Sequence, residues 1–168
     1  PKRARNGVSD SFAQKERRRS PGNSMIGTAW KVLVVDDEPD VVEVTAMVFD
    51  GLDVEGRPVE VLRAYSGQGA IDAFTAHPDI AAAYIDVVME TEHAGLDVVR
   101  HVRDVLLNHH TRLIVRTGNP GLAAREEVVQ HLDIDDYREK QDLTAERLEI
   151  SLITTLRTYK KLLSAVAR

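Results

Sequence analysis

Short, continuously apolar runs alternate along this chain with longer stretches whose apolar residues recur every three or four positions. Val32–Val35, inside KVLVVDDEPD (Lys31–Asp40), is apolar and rich in β-branched residues without period-two alternation. Such a run predicts a strand covered on both faces, as in a parallel sheet. Val59–Ala64 (VEVLRA), Ala81–Asp86 (AAAYID), Arg112–Arg116 (RLIVR, ending at Thr117) and Ile134–Arg138 predict four more strands. Helical patterns separate them. Pro39 suits a first helical turn, where its missing N–H costs nothing. Ser66 is placed to cap a helix reaching Ala76. Leu96, Val98, Val99, Val102, Val105 and Leu106 form a helical stripe over Gly95–Leu107. Leu122–His131 is a weaker helical pattern, and Thr144 opens one long helix to the C-terminus, with Arg147 completing only half a capping box. Five strands separated by helices predict an α/β protein with a doubly wound parallel sheet, helices on both faces and an extended last helix.

The strand ends carry the chemistry. Asp36 and Asp37, Asp86, Thr117, and the stretch Tyr137 to Lys140 all fall at carboxyl ends, which a parallel sheet gathers on one rim. Adjacent carboxylates repel each other, so the Asp36–Asp37 pair makes sense if a cation sits between them. Three carboxylates, a hydroxyl and a lysine suffice for metal-assisted phosphoryl transfer. Mg²⁺ prefers one or two carboxylates plus water and phosphoryl oxygens. Asp86, on the central strand, is the candidate nucleophile, since a carboxylate can form an acyl phosphate. Lys140 would neutralise developing charge, and Thr117 would donate a hydrogen bond. Taken singly, Asp36 or Asp37 could be a helix cap, Thr117 a turn residue and Lys140 a surface lysine. Their joint position on one rim argues against coincidence.

These residues resemble the receiver domain of bacterial response regulators over roughly residues 30–160. The pair at 36–37, Asp86, Thr117 and Lys140 match that family's five signature positions in order, and Tyr137 stands where it keeps a switch aromatic. The stretches IDVVMETEHAGL, RTGNPG and DDYREKQDLTAERL look most like receivers preceding HD-GYP cyclic-di-GMP phosphodiesterase outputs. The resemblance implies a flavodoxin-like strand order of 2-1-3-4-5. It implies phosphorylation of Asp86 by a histidine kinase or phosphotransfer protein. It further implies Mg²⁺, or Mn²⁺ in its place, held by Asp36, Asp37, Asp86 and the Val88 backbone carbonyl. Thr117 and Tyr137 would form a switch acting on the face of the fourth helix, fifth strand and last helix.

The chain departs from the family pattern in three places. Gln141 follows Lys140 where a proline in a cis peptide is usual, which predicts a trans bond, because a non-proline cis bond costs about 2.5–4 kcal/mol. Glu90 replaces a proline four residues after Asp86, in a loop one residue longer that adds Glu92 and His93. Val88 gives its position no polar side chain.

Charge divides the chain. Residues 1–24 carry seven Lys or Arg against Asp10 and Glu16, a net of +5, so the remainder carries −10 of the overall −5. The expected layout is a basic, flexible arm over 1–27, a receiver over 28–160 and the distal helix over 161–168. Cysteine is absent, which excludes disulfides and thiolate metal sites. No segment approaches the roughly 20 apolar residues of a membrane span or the core of a signal peptide, so a cytoplasmic protein without membrane contact is expected. Gly67-Gln-Gly69 lacks the third glycine of a dinucleotide loop, and His109-His110 lacks spaced metal partners. Leu152, Leu156, Tyr159, Leu163 and Val166 form a heptad seam that predicts a homodimer through the last helix. An effector domain missing from the chain, or a stand-alone receiver, are the two expectations for its output. Two other functions remain open: a nucleic-acid-binding module using the arm, and an aspartyl-phosphate phosphatase. Val88 argues against the latter, since those enzymes need a second Asp there.

Overall fold

The computed structural model describes residues 28–118 and 130–167. The basic arm and most of the expected helix Leu122–His131 lie outside the described residues. In chain order the elements are β1 (Trp30–Val35), α1 (Pro39–Phe49), β2 (Asp53–Val54), β3 (Arg57–Ala64), α2 (Gly67–Ala76), β4 (Ala82–Asp86), α3 (Ala94–Arg100), β5 (Arg112–Thr117), β6 (Asp136–Glu139) and α4 (Ala145–Val166). One sheet has the order β2-β3-β1-β4-β5-β6. The β3-β1-β4-β5-β6 part is parallel throughout and is the expected 2-1-3-4-5 arrangement.

The sheet has six strands among the described residues, not five. The addition is β2, a two-residue antiparallel partner of β3 that pairs Asp53 with Pro58 and Val54 with Arg57. Gly56 has a φ of +78°, which its missing Cβ permits, and its N–H donates to Asp53 Oδ1. Two residues with no apolar alternation leave no strand signature. The fifth strand is displaced as well, to Asp136–Glu139 rather than Ile134–Arg138.

Period-two geometry sorts the apolar runs between two cores. Leu33, Val35, Ala83, Ile85, Leu113 and Val115 face one side, covered by Ala70 and Phe74 of α2 and by Leu96, Val98 and Val99 of α3. Val32, Val34, Ala82, Tyr84 and Ile114 face the other, covered by Val42 and Phe49 of α1 and by Leu148, Leu152, Leu156 and Tyr159 of α4. Helix caps follow the sequence: Ser66 Oγ accepts from Gly69 N and Thr144 Oγ1 from Arg147 N. The stripe Gly95–Leu107 does not form one regular helix. After Arg100 it widens into a π-helical turn over His101–Val105, and Leu107 takes a positive φ.

The last helix divides its seam. Leu152, Leu156 and Tyr159 are buried against the protein's own sheet, whereas Leu163 and Val166 are 40% and 68% exposed. Only the distal pair is left for another chain. Among the described residues no helix is long and apolar enough to cross a membrane.

Candidate functional site

The carboxyl ends of β1, β4, β5 and β6 meet on one rim. Parallel pairing sets Val35 beside Ile85 and Asp86 beside Arg116, so the residues that follow each strand converge. Asp36 is fully buried, its N–H donating to Ala64 O at 3.2 Å and its Oδ1 accepting from Glu38 N at 3.1 Å. Those bonds turn the chain from β1 into α1 and leave Asp37 exposed at the surface. Asp86 is 4% exposed, with Val87 N donating to Arg116 O at 3.0 Å, so the ladder continues one residue past β4.

Lys140 spans the two buried acids. Its Nζ lies 2.7 Å from Asp36 Oδ2 and 3.0 Å from Asp86 Oδ2, with Glu38 Oε1 at 3.8 Å. The short 3₁₀ turn Lys140–Asp142 follows β6 directly and sets the lysine over the rim. Peptide bonds are trans among the described residues, Lys140–Gln141 included. Burial alone would weaken the ammonium, but the two carboxylates outweigh it and raise its pKa. Burial pushes Asp86 up to about 6; the Asp36 charge adds to the rise and Lys140 offsets it only in part.

Asp36, Asp37 and Glu38 bring carboxylate oxygens within 4.8 Å of one another. Asp36 Oδ2 is paired with the Lys140 ammonium at 2.7 Å and stands 3.8 Å from Arg116 Nη2. An all-oxygen donor set of three neighbouring carboxylates suits a hard cation such as Mg²⁺. Of the metal ligands expected from sequence, Asp36 and Asp37 sit in this cluster and Asp86 lies across Lys140. Val88 follows Asp86 in the loop and is half-buried. Glu38 was not foreseen, although it continues the acidic run.

Thr117 is buried at the end of β5, and Tyr137 is buried with the α2–α3 core. Glu90, in the unusual loop, accepts from Gly67 N at 2.8 Å and ties that loop to the start of α2. Arg116 was missed altogether. It shares a strand face with Ile114, so parity alone flags a cation pointing into the α1–α4 core. Its Nη1 donates to Thr45 Oγ1 at 3.0 Å and its Nη2 stands 3.8 Å from Asp36 Oδ2.

This fold and rim define a response regulator receiver as the class of protein the chain resembles. A receiver domain from Clostridium thermocellum superposes with a TM-score of 0.64 at 25% identity, covering 79% of this chain and 98% of that one. The signal receiver domain of an HD domain-containing protein from Pseudomonas fluorescens Pf-5 gives a TM-score of 0.67 at 16% identity, covering 80% and 99%. Among curated proteins, the chain is 43% identical over 133 residues to 3'3'-cGAMP-specific phosphodiesterase 2 of Vibrio cholerae. That match covers 79% of this chain but only 26% of the relative's length. No family model matches the chain. The receiver likeness supports a phosphoacceptor signalling role.

Proposed function

We propose that this chain takes a phosphoryl group onto Asp86 from a histidine kinase or histidine phosphotransfer protein and signals through the change. The observation that carries the reading is Lys140 Nζ bridging Asp36 and Asp86 across adjacent strand ends. In the transfer, an Asp86 oxygen forms a bond to phosphorus as the donor's N–P bond breaks, and the donor imidazole leaves with its electron pair. Asp36 and Asp37, with Asp86 and the Val88 carbonyl, would hold Mg²⁺. Bound there, the ion would offset charge on the phosphoryl oxygens. Lys140 turns from Asp36 toward the new phosphoryl oxygens, and the Thr117 hydroxyl donates to one of them. Tyr137, one strand away, follows the space Thr117 vacates and alters the face of β6 and α4.

The similarity to a phosphodiesterase favours a role as the regulatory part of a protein whose output cleaves a cyclic dinucleotide. A cytoplasmic setting fits such a partner. Incubation with acetyl phosphate and Mg²⁺ tests the core of this reading by intact mass. The wild type should gain one phosphoryl group and Asp86→Asn none. Equal labelling of both, or no labelling of a wild type that binds Mg²⁺, would remove Asp86 as the acceptor.

A further inference from the structure

Arg116 takes no part in the chemistry above, yet it lies beneath the acidic rim and is 2% exposed. Its Nη1 is pinned by Thr45 Oγ1, which itself donates to Val41 O of α1 at 2.8 Å. Its Nε and Nη2 are buried with no hydrogen-bond partner. Buried donors without partners and a buried charge are both costly. An apolar side chain would suit this face of β5, where Ile114 is fully buried. The ionic interaction within reach of the orphaned end is with Asp36 Oδ2, at 3.8 Å.

Asp36 therefore has two cations of different kinds. Lys140 is the mobile one: its side chain is 21% exposed and its ammonium can follow whichever anion is nearest. Arg116 is the stationary one, held from below by α1 and permanently charged. When Lys140 moves to a phosphoryl group, Arg116 is the protein's own cation that stays beside Asp36, next to the proposed Mg²⁺.

We propose that Arg116 is a positioning residue whose fixed charge sets the balance of the site between cation and anion. The inference rests on Mg²⁺ and phosphoryl binding at this rim, as proposed above. A fixed positive charge repels an incoming Mg²⁺ and attracts an incoming phosphoryl group. Its removal should move the two affinities in opposite directions, each by about fivefold or more, since that is the effect of a unit charge on a double charge about 8 Å away even at the dielectric of water, about 80. Damage to packing would weaken both.

The test compares the whole chain with Arg116→Gln, Arg116→Met and Arg116→Lys. Mg²⁺ affinity is read by calorimetry, and beryllofluoride affinity is read at saturating Mg²⁺. The expected result is tighter Mg²⁺ and weaker beryllofluoride in the Gln and Met variants, with Lys close to wild type. Met keeps the unbranched stem and suits the apolar face, so it carries the test if the Gln variant does not fold. Both affinities weakening together, or neither changing, in a variant that melts cooperatively would overturn the inference. A wild type that binds neither Mg²⁺ nor beryllofluoride would overturn the reading of the site itself, and this inference with it.

Discussion

Gly95 lies so close to Asp86 that a Cβ placed on it would fall 1.8 Å from the Asp86 carbonyl oxygen. The same residue donates its N–H to Val87 O at 3.0 Å, so the start of α3 is pressed directly against the end of β4. The backbone that aims the candidate phosphoacceptor is thus held by a position that has no room for a side chain.

Gly95→Ala should therefore destabilise the fold by about 1–3 kcal/mol or more, because the obstacle is backbone and cannot rotate away. The same substitution at Gly51, where a Cβ meets nothing within 4 Å, is a control limited to the strain of its positive φ. Chemical denaturation of both variants checks this. A smaller loss at Gly95 than at Gly51 would mean the α3–β4 contact yields easily.

Asp86 should make stability depend on pH. Its folded pKa of about 6 lies above the ordinary 3.8 because of burial first and the Asp36 charge second. The folded protein holds that proton more tightly than the unfolded chain. The associated stability is present below about pH 4 and lost as pH rises through 6. Asp86→Asn should then be more stable than wild type at pH 8 by about 2–3 kcal/mol, with the gap closing toward pH 4. Melting curves in EDTA measure it, and a gap that is constant with pH would contradict the assignment.

Asp37 is exposed beside buried Asp36, so its carboxylate has little structural duty. Asp37→Ala should leave the melting temperature within a few degrees and weaken Mg²⁺ binding at least tenfold by calorimetry. Glu38→Gln should weaken it less, since Glu38 already faces Lys140 at 3.8 Å. Unchanged affinity in Asp37→Ala would move the ion elsewhere.

Tyr137 is already turned into the core in this structure, at 7% exposure. The proposed switch then predicts exchange of the ring between this place and an outer one in the unphosphorylated protein. Beryllofluoride should quench that exchange as Thr117 moves toward the phosphoryl mimic. NMR relaxation of the Tyr137 ring reads both states. A ring without exchange in either would detach Tyr137 from the signal.

The distal pair Leu163 and Val166 should support weak self-association. Burying a Leu is worth roughly 1.5–3 kcal/mol, which is marginal for a seam this short. Truncation after Lys161 removes both residues while keeping the buried Tyr159, and sedimentation compares the two chains. Monomers at high micromolar concentration in both, with and without beryllofluoride, would end the dimer proposal.

The amino-acid order by itself determined the parallel core, the strand order implied by its family resemblance, and the rim bearing Asp36, Asp37, Asp86, Thr117 and Lys140. It could do so because buried parallel strands are short apolar runs, and their chemistry lies one residue beyond each run. The caps at Ser66 and Thr144 were legible for a similar reason, since a cap is a contact between residues three apart. Contacts between distant segments were decided only by the tertiary structure. Arg116 beneath Asp36 depends on which sheet face β5 turns toward α1, and the Glu90–Gly67 bond depends on how two loops meet. β2 exists because β3 offers it an edge, not through any pattern of its own. The same holds for the seam of α4. Its residues repeat as a dimer interface would, but packing on the sheet takes Leu152, Leu156 and Tyr159 for the protein's own core, because that apolar surface lies nearer than any second chain.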